Sequence, residues 1–86
     1  MITRPAGLRV EMGKSDVKPL ARWAIYKECQ LRFRSRTPEC VTGVLTDADG
    51  AETAFAYTPQ ERVLRLGDTY IRMDEYGWEV EHWTAA

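Results

Sequence analysis

Apolar and polar residues alternate along most of this chain, and one stretch breaks the alternation with a longer period. That stretch begins near Asp16. Val17, Leu20, Ala21 and Ala24 recur at spacings of three and four, which places them on one face of a helix. Trp23 and Tyr26 sit to the side and widen the apolar arc. Ser15 and Asp16 both suit an N-cap, and Pro19 falls in the first turn, where its missing N–H costs nothing. A helix is therefore expected to start near Asp16. Its end has two readings. From Cys29 the order Cys-Gln-Leu-Arg-Phe-Arg-Ser-Arg has a period of two, as in a strand, yet Leu31 also continues the helical stripe. Arginines near a helix C-terminus suit its dipole. The favoured expectation is a helix to about Arg32 with an extended exit, stopped by Pro38.

The flanking segments read as strands. Leu8–Met12 alternates and ends at Gly13. "CVTGVLT" and "ETAFAYT" flank "DADGA", where Asp49-Gly50 is a strong hairpin signal. Thr53, Phe55 and Tyr57 share one face of the second of these strands. Thr58-Pro59-Gln60-Glu61 marks a turn or a single helical turn. "VLRL" and "TYIRM" flank Gly67-Asp68, and "WEVEHW" follows the turn "DEYG". In that last strand Trp78, Val80 and His82 are expected on one face and Glu79, Glu81 and Trp83 on the other. The fold class is α+β: one N-terminal helix packed on a small antiparallel sheet or half-open barrel of about five short strands.

The chain has 86 residues, room for one domain spanning 1–86. Its 44% hydrophobic and 29% charged residues are ordinary for a globular protein and argue against disorder. No apolar run approaches the roughly 20 residues that span a bilayer, so no membrane partner is expected. The start, "MITRPAGLRVEM", has no apolar core of signal-peptide length, which predicts a cytoplasmic protein. Cys29 and Cys40 are then expected to be free thiols.

Net charge is −1, but it is unevenly spread. Residues 1–40 hold nine Lys/Arg against four acids; residues 41–86 hold three Arg against nine acids. A helical basic half thus precedes an acidic β half. Folding either interleaves the two or leaves a bipolar surface, and the bipolar case favours head-to-tail self-association or a strongly charged partner.

The search for chemistry fails on particulars. His82 is the only histidine and lies in an alternating strand, which suits a half-buried or exposed strand residue better than a general base. Ten residues separate Cys29 from Cys40, so the zinc knuckle spacing is missing. With Gly50 at position 6 of a calcium loop, Leu45 and Ala56 would occupy positions 1 and 12, and neither can ligate. "LRLGDTY" lacks the partners of a phosphate loop. No enzyme activity and no cofactor are expected.

Two charged stripes remain. Arg32, Arg34 and Arg36, with Phe33 interleaved, could grip phosphates and stack bases. Glu79 and Glu81 could offer an acidic surface, with Trp83 beside them as an interface anchor. For each stripe, a solvated face paired within the chain is the blander alternative.

The order "VTGVLTD", "YTPQE", "LRLGDTYIRM" and "WEVEHW" resembles the small head–tail joining (head-completion) proteins of tailed phages. The matching positions are Gly43, Val44, Asp47, Gly67, Asp68 and Trp78, within residues 41–83. The resemblance implies a helix plus small β-barrel that assembles as a ring between portal and tail, with no catalytic residues. The chain departs from that pattern by stopping just after "WEVEHW" and by its basic segment 22–36. The leading expectation is a non-catalytic protein–protein interaction protein, such as a phage or mobile-element accessory, located in the host cytoplasm or the virion. Its alternatives are a small anti-CRISPR-type inhibitor using an acidic surface, and nucleic-acid binding through Arg32, Arg34 and Arg36. A protein partner is expected, a homo-oligomer is compatible, and nucleic acid is not favoured.

Overall fold

The computed structural model describes residues 16–85. The expected strand at Leu8–Met12 lies outside them. Among the described residues one helix, α1 (Lys18–Tyr26), is followed by six strands: β1 (Gln30–Arg36), β2 (Val41–Thr46), β3 (Glu52–Thr58), β4 (Val63–Leu66), β5 (Thr69–Met73) and β6 (Glu79–Thr84). The strands form one antiparallel sheet in the order β1-β2-β3-β4-β5-β6. The fold is α+β as expected, with six strands rather than about five. The extra strand is β1.

The helix ends earlier than Arg32 for a local reason. Glu28 takes a left-handed conformation at φ 58°. Its N–H donates to the Ile25 carbonyl at 3.1 Å, and the Cys29 N–H donates to the Ala24 carbonyl at 2.8 Å. This is a Schellman stop with glutamate where glycine is usual. Once the helix is closed, the period-two pattern from Gln30 proceeds as a strand. Leu31 pairs with Leu45 instead of extending the helical stripe.

Helix α1 buries Pro19, Leu20, Trp23 and Ala24. Trp23 sits at the centre of the buried arc rather than at its side, and Ala21 faces solvent. Burying Leu20 and Trp23 contributes roughly 2 kcal/mol each. They meet the inner face of the sheet, where Val41, Leu45, Phe55, Tyr57, Leu64, Ile71 and Met73 complete the core. Cross-strand register explains the set: Val41, Tyr57, Leu64 and Ile71 lie directly opposite one another across β2 to β5. Gly43 lies between Phe33 and Phe55 in the ladder, and those rings meet edge to face at 6.1 Å. A side chain at Gly43 would overlap the Arg32 carbonyl oxygen and press on the Phe55 ring.

Both outer strands carry a β-bulge. In β1 the register shifts between Phe33 and Ser35, leaving Arg34 extra. In β6, Glu81 pairs with Arg72 and Glu79 with Met73, leaving Val80 extra. Each bulge moves the residues beyond it to the other face.

Candidate interaction site

The connections β2–β3 and β5–β6 are the same device. In "DADGA", one carboxylate oxygen of Asp47 accepts the N–H groups of Asp49 and Ala51 at 2.9 and 3.0 Å. In "DEYGW", Asp74 does the same for Tyr76 and Trp78 at 2.9 and 3.0 Å. In both, the glycine N–H donates to the Asp carbonyl at 3.0 Å. The first loop projects into solvent. The second is pressed onto α1.

That contact builds an aromatic surface. Gly77 has φ 89°, and a Cβ there would stand 2.6 Å from the Pro19 carbonyl oxygen and 2.8 Å from the Trp23 nitrogen. The missing side chain lets the loop touch the helix backbone. Tyr76 and Trp78, on either side of Gly77, are thereby set beside the helix. Trp78 stacks on Tyr26 with ring centroids 4.3 Å apart and planes 11° from parallel. The Tyr26 hydroxyl donates to the Tyr76 carbonyl at 3.1 Å. The Arg22 guanidinium lies 5.9 Å from the centre of the Tyr76 ring. A groove of about 400 Å³ runs beside the stack, lined by Trp23, Tyr26, Lys27, Gly77, Trp78 and Glu79. Despite these contacts Trp78 is 57% exposed, Tyr76 54% and Tyr26 44%.

Lys27 and Glu79 are the charged residues of the groove's lining. Glu79 accepts a hydrogen bond from Trp23 Nε1 at 2.8 Å and lies 3.0 Å from Lys27 Nζ. Partial burial alone would raise the Glu79 carboxyl. The hydrogen bonds from Trp23 and Lys27, then the charges of Lys27 and His82, outweigh it and hold the group below the usual carboxylate range.

The residues singled out from sequence are dispersed rather than gathered. Arg32 lies opposite Val44 on the outer face, 3.8 Å from Glu52. Arg34 is the bulge residue, and Arg36 pairs with Val41 on the inner-face side, its guanidinium 5.1 Å from the Phe33 ring centre. The arginine stripe is therefore split across two faces. The expected grouping of Glu79, Glu81 and Trp83 is likewise corrected by the bulge at Val80. Glu79 joins Met73 on the helix-covered side, while Glu81 lies on the outer face, 2.7 Å from Arg72 Nε. Trp83 is also on the outer face, stacked on Tyr70 at 5.5 Å. Trp78 and Trp83 are both exposed, and Trp23 is the core tryptophan.

Because the sheet is a meander, sequence order becomes spatial order. Basic β1 and acidic β6 occupy opposite edges of the sheet. The basic helix folds back to the acidic end, where Lys27 meets Glu79. The charges of the two edge strands therefore lie apart across the sheet, while the basic segment meets the acidic one at Lys27–Glu79 and at Arg32–Glu52.

Cys29 and Cys40 are unbridged and half-buried. Burial first, then the Asp47 charge, pushes the Cys29 thiol up against the opposing charge of Lys27. Among the described residues no three His, Cys, Asp or Glu side chains converge as metal ligands. No helix there is long and apolar enough to cross a membrane.

No family model matches the chain, and no curated protein or solved structure is significantly similar to it.

Proposed function

We propose that this protein is a non-catalytic interaction module that docks a protein partner on the Tyr26–Tyr76–Trp78 surface. One observation carries this reading: Tyr26 and Trp78 are stacked in a fixed geometry, the Tyr76 backbone is tied to the Tyr26 hydroxyl, and yet all three rings stand about half exposed. Ordered, exposed aromatics lose little entropy on binding and are the residue types that dominate interface energetics. The adjoining groove would take an apolar side chain of the partner, with Lys27 and Glu79 at its polar end. An accessory role in a phage or mobile element, implied by the head–tail joining resemblance, suits a module of this kind.

The two charged stripes draw less support. Splitting Arg32 from Arg36 leaves no continuous phosphate track, and Glu79 is already engaged by Trp23 and Lys27. The nucleic-acid and acidic-inhibitor readings therefore rank second.

The test is affinity capture from the native host with the wild-type protein, Trp78→Ala and Trp83→Ala. The expected result is a partner retained by wild type and by Trp83→Ala and lost on Trp78→Ala, with both variants folded by circular dichroism. Equal capture by Trp78→Ala would reject the site.

A further inference from the structure

Among the described residues the sheet has two open edges: neither β1 nor β6 is hydrogen-bonded to a strand on its outer side. Such an edge presents a row of unpaired N–H and C=O groups, ready to pair with another strand. The strand number is even, so β1 and β6 run in opposite directions. A second copy placed alongside by translation would set its β1 antiparallel to the first copy's β6, with both helix-covered faces on one side. The lengths agree, at seven residues for β1 and six for β6.

Charge selects among the possible pairings. β1 carries Arg32, Arg34 and Arg36 and no acid; β6 carries Glu79 and Glu81 and no Lys or Arg. Pairing β1 with β1 opposes arginines, and β6 with β6 opposes glutamates. Like charges across a ladder repel and opposite charges attract. Bulges and charges on edge strands ordinarily deter association. Here the charge penalty falls on the two like pairings and spares the mixed one. Existing ion pairs do not prevent it. Arg32–Glu52 at 3.8 Å and Arg72–Glu81 at 2.7 Å are both well exposed, and such surface pairs are weak; Glu79 stays engaged with Lys27 and Trp23, so Glu81 is the acid that β6 offers to the pairing. The edges also expose apolar groups that pairing would cover: Phe33 in β1, Val80 and Trp83 in β6.

We propose that the partner for each edge is a second copy of this chain, with β6 of one copy adding antiparallel to β1 of the next. The contact is heterologous, so each added copy leaves one edge of each kind open and the assembly grows head to tail. It shares only Glu79 with the Tyr26–Trp78 surface and does not depend on the docking reading above.

The test is a charge swap read by native mass spectrometry and light scattering. The wild-type protein should grow past two copies as concentration rises into the millimolar range, and less so in high salt. Arg32→Glu with Arg34→Glu reverses the sign of β1; Val80→Lys with Glu81→Lys reverses that of β6. Each variant alone should be monomeric, and an equimolar mixture of the two should assemble again. Restoration on mixing also shows that both variants fold. Where a double variant fails to fold, the single changes Arg34→Glu and Glu81→Lys should each lower the degree of association, and should restore it when mixed. A wild type that stays monomeric, or that stops at a dimer, would overturn the proposal. So would variants that assemble as wild type does. Trp78→Ala should leave assembly unchanged while abolishing capture of a docked partner, so the two proposals can fail separately.

Discussion

Trp23 and Glu79, 56 positions apart in the chain, are joined by a 2.8 Å hydrogen bond that ties the helix to the last strand. The indole is in the core and its N–H reaches out to the carboxylate, where Lys27 adds a second donor at 3.0 Å. This carboxyl titrates below its usual range in the folded protein, so the sign of its effect is fixed. Its contribution to stability is full above the unfolded-state value of about 4.3 and is lost as pH falls through the lower folded value. Glu79→Gln keeps an acceptor for Trp23 and removes the charge. It should cost about 1 kcal/mol at neutral pH, since solvent screens part of the interaction. It should also flatten the loss of stability in acid. Urea midpoints measured from neutral pH down to about pH 3 will show this; a variant with the same acid slope as wild type would assign that slope to other groups.

Gly77 and Gly50 share a φ of 89° and the same position in their two loops, but only Gly77 touches the helix. The left-handed backbone cost of adding a Cβ is common to both, about 1 kcal/mol. At Gly50 nothing stands within 4 Å of the new atom. At Gly77 the Pro19 carbonyl, the Trp23 nitrogen and the Arg22 Cβ are all closer than 3.0 Å. Gly77→Ala should therefore be worse than Gly50→Ala by about 2 kcal/mol in chemical denaturation. It should also loosen the Tyr26–Trp78 stack and increase the exposure of Trp23, seen as a red shift in tryptophan emission. Equal costs at the two glycines would mean that the loop–helix contact adds nothing.

The sheet was largely legible from alternation because each strand from Val41 to Met73 is short, buried on one face and bounded by a turn. Val41, Leu45, Phe55, Tyr57, Leu64 and Ile71 all fall where period two puts them. The helix end was not legible, because Glu28 adopts a conformation that glycine normally signals. The charged stripes failed for a different reason. Reading Arg32 with Arg36, or Glu79 with Glu81, onto one face assumes an unbroken strand. One extra residue in each edge strand, Arg34 and Val80, reverses the assignment, and neither bulge is marked by a glycine. The aromatic surface did leave a sign in the chain. "DADGA" and "DEYGW" share Asp and Gly at the same spacing, so two equivalent loops could have been inferred. Which of them meets the helix is decided by the fold alone.

Tyr57 is fully buried, and its hydroxyl has no hydrogen-bond partner among the described residues. Burial first, with the Asp16 charge adding to it against Arg62, pushes the phenol up to about 12. A raised phenol favours the folded protein only while the unfolded chain also keeps its proton. That contribution is full below the unfolded value of about 10 and is lost as pH rises through the folded value. Tyr57→Phe removes an unpaired polar atom without changing the ring. At neutral pH it should be neutral or stabilise by up to about 1 kcal/mol. It should also reduce the loss of stability between about pH 10 and 12. Denaturant midpoints at neutral and alkaline pH give both values, and a loss above about 1 kcal/mol at neutral pH would reveal a partner for the hydroxyl.

Among the described residues Glu28 and Arg62 are the two non-glycine residues with left-handed backbones, at φ 58° and 56°, and they should respond oppositely to glycine. Each bears the steric cost of a Cβ in that region, about 1 kcal/mol or more. Glycine removes that cost but also adds freedom to the unfolded chain, which offsets part of the gain. At Glu28 the work is done by the backbone, whose N–H closes the helix onto Ile25. Glu28→Gly keeps that bond and should stabilise the protein by about 0.5 kcal/mol. At Arg62 the side chain is part of the structure. Its Nε donates to the Met73 carbonyl at 3.1 Å, while its own carbonyl accepts the Met73 N–H at 2.9 Å. Arg62→Gly relieves the backbone but forfeits a charged hydrogen bond worth about 1.5 kcal/mol, so the net change should be destabilising. Thermal and urea midpoints for the two variants should move in opposite directions. A destabilised Glu28→Gly would show that the glutamate side chain, and not only its backbone, holds the end of the helix.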